Sequence, residues 1–111
     1  MLRDNNSTIV VLITCGNRRE AEKITDVLVT NRLIACGNIL SNVTSIFRWD
    51  DRITNEEEVL VIAKTHKSRF DQLLHKVKKM HSYSTPEVIG LPIVAGSAEY
   101  LNWIVEETSD V

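Results

Sequence analysis

Residues 81–87 read HSYSTPE and place three side chains that could do chemistry within seven positions. They are the imidazole of His81, the phenol of Tyr83 and the carboxylate of Glu87. Such groups together could bind a metal ion, move a proton or hold a small anion. The serines, the threonine and Pro86 among them are also typical of a turn. The segment therefore predicts a turn that presents polar side chains, and its chemistry depends on the elements that position it.

Cys36 and Lys64 are two further positions where chemistry is possible. Cys36, His81 and Glu87 have the residue types of a nucleophile, its base and an orienting acid. Residue types alone do not bring side chains together, and small buried cysteines in strands are usually inert, so we expect no enzyme. Lys64 ends the apolar run VLVIAK. Its ammonium group either reaches water at a strand end or meets an anion, with Glu87 as one candidate.

The composition indicates one globular domain without a strongly basic surface. The chain has 111 residues, 43% of them hydrophobic and 25% charged, with a formal net charge of -2. Binding to nucleic acid or to an anionic membrane needs an excess of lysine and arginine, so we expect neither partner. The polar start MLRDNNST does not resemble a secretory signal, and the apolar runs are too short to span a membrane. We therefore expect a cytoplasmic protein with reduced thiols.

The pattern of apolar residues predicts four strands and three helices in the order βαββαβα. The SN pair at 41–42 indicates a bend or bulge in the second strand, and Asp50 with Asp51 can turn the chain into the third. This order predicts a ferredoxin-like α+β sandwich with a long hairpin between the second and third strands and a C-terminal helix. We expect a flexible start at 1–7 and a single domain at 8–111. The strands are expected at 8–14, 33–49, 52–65 and 88–94, and the helices at 17–31, around 70–77 and from about 97.

The hairpin and the sheet carry different signals for binding. Trp49 and Arg48 stand at the predicted hairpin tip, where a lone domain would expose them, so we interpret the tip as an oligomer contact. RNA-binding members of this architecture stack bases on aromatic side chains of two strands. The runs TIVVLIT and EEVLVIAKT contain no aromatic residue, which argues against that function.

Five blocks of the sequence together match the pattern of a known family, and they are RLIACGNI, SIFRWDDRI, EEVLVIAKT, HSYSTPEVIGLPI and GSAEYLNW. Through them the chain as a whole resembles the CutA family of divalent-ion tolerance proteins from about Ile9 to Thr108. The resemblance implies a tight homotrimer in which strands of neighbouring subunits pair through the long hairpin. It also implies a role in tolerance of copper and other divalent cations, and copper binding.

The resemblance also implies a site at an inter-subunit cleft. His81 and Cys36 match family positions and are the candidate metal ligands, since imidazole and thiolate suit copper. Lys64, Tyr83 and Glu87 would line the cleft. The resemblance leaves two other functions open. One is a signalling trimer similar to the PII proteins that binds a small anionic ligand in the clefts, and the other is a ligand-free trimer that anchors other proteins.

Overall fold

The computed structural model describes residues 7–110, in which seven regular elements follow in the predicted order. A single 3-10 turn, Lys67–Arg69, joins the third strand to the second helix. Apart from Ser7, the predicted flexible start at 1–7 lies outside the described residues. The strands are β1 (Thr8–Cys15), β2 (Cys36–Trp49), β3 (Arg52–His66) and β4 (Val88–Pro92), and the helices are α1 (Arg18–Thr30), α2 (Phe70–Met80) and α3 (Ala98–Glu107).

The four strands form one antiparallel sheet in the order β2-β3-β1-β4, which confirms the ferredoxin-like fold. β1 has a neighbour on each side, and such a position suits its unbroken apolar, β-branched sequence. β4 lies at an edge and ends with Pro92, as expected for a residue that cannot donate a ladder hydrogen bond.

The hydrophobic core lies between α1, α2 and one face of the sheet. Successive strand residues point to opposite faces, so the core takes every second side chain of β1 and β3. The largest fully buried apolar side chains include Val11, Ile13, Val61, Ile24, Leu28, Leu73 and Val77. The opposite face is also apolar but is left half-exposed. We call it the open face, and it comprises Val10, Leu12, Leu40, Leu60, Ile62, Ile89 and Leu91.

The hairpin of β2 and β3 extends well beyond the rest of the domain, so the described chain is elongated and measures 48 × 26 × 22 Å with the hairpin included. The predicted bulge lies between Leu40 and Val43, with Asn42 at φ 65°. Asp50 and Asp51 form the tip at φ 54° and 62°. Two left-handed residues are what a two-residue hairpin turn with the right twist requires, and aspartate tolerates that conformation. The predicted bulge and turn are both confirmed.

The predicted start of β2 at Leu33 is wrong, because the strand begins at Cys36. The N–H groups of Leu33 and Ile34 donate to the carbonyl of Leu28, at 2.9 and 3.4 Å, and so close the C-terminus of α1. Arg32 makes the reversal at φ 58°. The apolar side chains of this run are buried core residues of a connection, which a strand-like sequence does not distinguish.

Two arginines hold the C-terminal end of α3. Arg32 Nη1 donates to the carbonyls of Glu106 and Glu107, at 3.4 and 3.2 Å, and Arg69 Nε donates to the carbonyl of Thr108 at 2.6 Å. These carbonyls lack partners within the helix, and cations are favoured at a helix C-terminus. The clamp fixes α3 against β3 and β1, with its first turn beside Cys36.

Candidate functional site

The end of β1, the start of α1 and the turn at 81–87 meet at one corner of the domain. α1 begins there because the Asn17 side chain accepts a hydrogen bond from the backbone N–H of Glu20 at 2.8 Å. A capping box would return the Glu20 carboxylate to the N–H of Asn17. Instead, Glu20 Oε1 accepts from the N–H of Gly16 at 3.2 Å, so only the first half of a capping box forms.

The second oxygen of Glu20 holds the turn against α1. Glu20 Oε2 accepts from the backbone N–H of Ser82 at 2.8 Å. Burial alone would raise the pKa of Glu20, but hydrogen bonds from Ser82 and Gly16 outweigh it and hold the pKa below its usual value. Glu20 is therefore an ionised carboxylate at neutral pH.

His81 binds two backbone groups through its two ring nitrogens. Nε2 lies 2.7 Å from the carbonyl oxygen of Thr14, and Nδ1 accepts from the backbone N–H of Tyr83 at 3.0 Å. A carbonyl can only accept and an N–H can only donate, so these partners fix the neutral tautomer with its proton on Nε2. The lone pair of the imidazole is consequently on Nδ1, on the side of the turn.

Cys15 and Glu20 bring two more metal-ligand atoms next to His81. One ligand atom of each residue lies within 4.8 Å of the other two. Cys15 is fully buried, and burial, followed by the charges of Glu20 and Glu58, raises the pKa of its thiol to about 12. Sulfur, imidazole nitrogen and carboxylate oxygen fit a divalent transition-metal ion in donor type.

Tyr83 lies beside this cluster. Its ring centroid is 4.8 Å from that of His81, and its hydroxyl donates to Glu58 Oε2 at 2.8 Å. Burial, then the hydrogen bond and charge of Glu58, raise the pKa of Tyr83 above its ordinary value. A Cβ atom at Gly16 would stand only 3.3 Å from the Tyr83 hydroxyl. The phenol therefore packs closely over the junction between β1 and α1.

A cleft of about 780 Å³ opens between the turn and the hairpin. Glu56, Glu58 and Glu87 face it, and no lysine or arginine is among the described residues that line it. Three carboxylates make this cleft more favourable for a cation than for an anion. The lining consists of Thr14, Ser45, Ile46, Phe47, Trp49, Thr54, Glu56, Glu58, Tyr83, Ser84, Thr85 and Glu87.

The structure brings Tyr83 and Glu87 together in this cleft but places Lys64 elsewhere in the same chain. Lys64 Nζ lies 3.4 Å from Cys36 Sγ and also donates to the side chain of Asn38. The pKa of Tyr100 is raised by burial and then by interaction with Cys36. The Tyr100 hydroxyl therefore lies close to the Cys36 thiol. Lys64 and Cys36 therefore form a second polar cluster, separate from the cleft.

His81 and Cys36 lie apart within one chain. Cys36 pairs with Lys64 across the sheet, and Lys64 pairs with Val10, so Cys36 lies at the level of Val10. His81 instead contacts Thr14. Thr14 is four positions along β1 from Val10, a distance of about 13 Å. A metal site shared by His81 and Cys36 would need the cysteine of a neighbouring subunit.

Trp49 and Arg48, which were interpreted as an oligomer contact, are both exposed. Trp49 is 58% exposed and lines the cleft, while Arg48 points to the opposite face of the hairpin, where it pairs with Ile53.

The sequence reasoning missed Cys15 and Glu20 as possible ligands, because both are far from residues 81–87 in the sequence. The predicted topology could have indicated that these two residues lie near His81. Ile13 pairs with Val88 in the sheet, so the segment before β4 must pass the residues that follow β1. Residues 81–87 therefore had to lie against the β1–α1 junction.

The fold and the site define a ferredoxin-like α+β protein with a potential metal-ligand cluster beside an acidic cleft. The chain belongs to the CutA1 divalent ion tolerance protein family, whose model matches residues 9–107. It is 42% identical over 99 residues to the divalent-cation tolerance protein CutA of Thermus thermophilus, covering 89% of this chain and 96% of that protein. It is 38% identical to the chloroplastic protein CutA of Arabidopsis thaliana, covering 91% of this chain but 56% of the plant protein.

A solved structure shows the same fold. The structure described as the periplasmic divalent cation tolerance protein CutA of Archaeoglobus fulgidus matches with a TM-score of 0.89 at 36% identity, covering 92% of this chain and 99% of that one. Relatives are thus described as periplasmic and as chloroplastic. Within residues 7–110 of this chain, no helix has the length and apolar character needed to cross a membrane.

The hydrogen bonds of Glu20 predict a pH-dependent contribution to stability. A carboxylate with a lowered folded pKa stabilises the fold above its ordinary value of 4.5 and loses that contribution as the pH falls through the folded value. We expect Glu20→Gln to be less stable than the wild type at pH 7, by less than about 1 kcal/mol because the side chain is partly exposed. Urea unfolding at several pH values measures the difference, which should shrink below pH 4.5.

The matched control for this prediction is Asp26→Asn, which removes an exposed carboxylate from the same helix. It should change stability little at any pH. A difference between the wild type and Glu20→Gln that stayed constant between pH 7 and pH 3 would contradict the prediction.

Proposed function

We propose that this chain forms a homotrimer that binds copper or a similar divalent cation and contributes to tolerance of such ions. The observation that carries the proposal is the position of His81, which meets a thiol and a carboxylate beside an acidic cleft. The relatives named as divalent-cation tolerance proteins support the same class of ligand. We expect a cytoplasmic protein without catalytic activity.

The apolar surface of the single chain supports the trimer. Leu40, Ile89 and Leu91 of the open face are 43%, 49% and 44% exposed. Exposed apolar patches of this kind mark protein interfaces. The projecting hairpin adds unpaired strand edges together with exposed Phe47 and Trp49, and pairing with neighbouring subunits would remove those edges. Trp49 and Arg48 would then lie at the contact between subunits.

The surroundings of His81 support a metal ligand there. Metal-binding histidines usually donate their other ring N–H to a carbonyl or carboxylate, and His81 has such a partner in the Thr14 carbonyl. Tyr83 and Glu87 line the adjoining cleft, whose carboxylates attract cations. Cys36 of a neighbouring subunit is the second proposed ligand.

The alternative of a PII-like trimer that binds an anion has less support from the single chain. Its proposed cation, Lys64, is engaged with Cys36 and Asn38 and does not line the cleft. A small anion in this cleft would face three carboxylates. The ligand-free scaffold remains the outcome expected if no metal binds.

The test is the copper affinity of His81→Ala, measured by competition with a chromophoric chelator. We expect binding about tenfold or more weaker than in the wild type, since loss even of an outer-shell partner has effects of that size. His75→Ala is the matched control, because His75 is exposed on α2. Unchanged copper affinity in His81→Ala would refute the site, and an equal loss in both variants would indicate non-specific binding.

A further inference from the structure

We propose that Cys15, Glu20 and His81 of a single chain form a binding site for a thiophilic divalent ion such as Zn²⁺. The inference rests on the proposed function, from which it takes His81 as a metal ligand. It adds two ligands from the same chain, whereas Cys36 would have to come from another subunit. The Cys15 sulfur, one carboxylate oxygen of Glu20 and one ring nitrogen of His81 already lie within 4.8 Å of one another.

His81 is prepared for this role by its hydrogen bond to β1. The Thr14 carbonyl at 2.7 Å holds the proton on Nε2 and leaves the lone pair on Nδ1. The partner of Nδ1 is one backbone N–H, that of Tyr83, at 3.0 Å. Binding through Nδ1 therefore exchanges a single hydrogen bond and keeps the second-shell bond to Thr14, which fixes the ring orientation.

Glu20 can bind an ion without losing its structural role. Its two oxygens accept from the N–H groups of Gly16 and Ser82, one each. A carboxylate offers about four lone-pair sites, so each oxygen keeps a position for a further partner. These hydrogen bonds also hold the carboxylate ionised and oriented, as second-shell contacts do in metal sites.

Cys15 supplies the sulfur, and an ion that binds it must displace the thiol proton. The thiol is fully buried at the end of β1, beside Glu20 and Glu58, where a lone thiolate is disfavoured. A divalent ion replaces the thiol proton, which passes to solvent, and forms the metal–sulfur bond. The ion, the thiolate and the carboxylate of Glu20 then sum to zero charge, which suits a buried site.

Tyr83 controls entry to this cluster. Its phenol stands against the His81 ring and over Gly16, and the hydrogen bond to Glu58 fastens it. An ion that enters from the acidic cleft must displace this ring. The carboxylates of the cleft would concentrate cations at the entrance.

Titration with Co²⁺, a spectroscopic substitute for Zn²⁺, tests the ligand set. We expect a thiolate-to-cobalt charge-transfer band in the wild-type protein, with release of one proton per ion bound. Cys15→Ala should abolish the band and weaken Zn²⁺ binding by about 100-fold or more. His75→Ala, which removes an exposed side chain of α2, is the control and should retain both.

The outcomes separate this inference from the proposed function. If His81→Ala and Cys36→Ala lose the ion while Cys15→Ala binds normally, the inter-subunit site stands and the inference is overturned. If none of the three affects binding, both fail. Should Cys15→Ala fold poorly, Glu20→Gln replaces it, with a loss of Zn²⁺ affinity of about tenfold or more expected and unchanged affinity overturning the inference.

Discussion

Ile89→Glu will convert the proposed trimer into monomers. Ile89 is 49% exposed in the single chain and pairs across the sheet with Leu12, near the centre of the open face. In a trimer built on this face, three glutamates would be buried against apolar side chains. An unpaired buried charge carries an effective penalty of several kcal/mol, enough to oppose association at micromolar concentrations.

Sedimentation equilibrium of the variant measures the effect directly. Val29→Glu is the matched control, because Val29 is similarly exposed, at 42%, but lies on α1. We expect that control to remain trimeric at the concentration where Ile89→Glu is monomeric. A variant that retained the wild-type mass would show that the open face is not the interface.

Gly37→Ala will destabilise the fold by about 1–3 kcal/mol, the usual range for overpacking a core. Gly37 lies on β2 beneath α1, and a Cβ atom there would stand 2.7 Å from Cγ2 of Thr25. Ile34 and Val61 close the remaining space at 3.4 Å each. Either the Thr25 side chain or the helix must move to admit even one methyl group, which explains the glycine at this position.

Thr25→Ser provides a rescue, because it removes the methyl group that collides and keeps the buried hydroxyl. In a double-mutant cycle, Gly37→Ala should cost less in the Thr25→Ser background than in the wild type. Urea unfolding at one fixed protein concentration gives the four free energies. Strictly additive effects would contradict the steric explanation.

The sequence predicted the fold well where local patterns and tertiary packing agree. The apolar run of β1, the stripe of Phe70, Leu73 and Val77 on α2, and the turn residues Asp50 and Asp51 each gave the observed element. The apolar run that begins at Leu33 was wrongly predicted to be part of the strand. Its apolar residues belong to a connection that fills the core. A pattern of burial alone does not distinguish the two.

Some residues of the candidate site could be proposed from the sequence, but their grouping could not. His81, Tyr83 and Glu87 were found because they are close in sequence and unusual in type. The separation of Lys64 and Cys36 from them depends on strand register, which the sequence did not specify. Contacts such as Arg69 with Thr108 join residues 39 positions apart and leave no local pattern.

The central claim, a homotrimer that binds a divalent cation through His81, is tested most directly by native mass spectrometry of untagged protein incubated with stoichiometric Cu²⁺. The method reports the number of subunits and the bound mass together. We predict three chains that carry copper in the wild type, and three chains with little or no copper in His81→Ala. A monomer, or a trimer whose copper content is the same in both proteins, would contradict the claim.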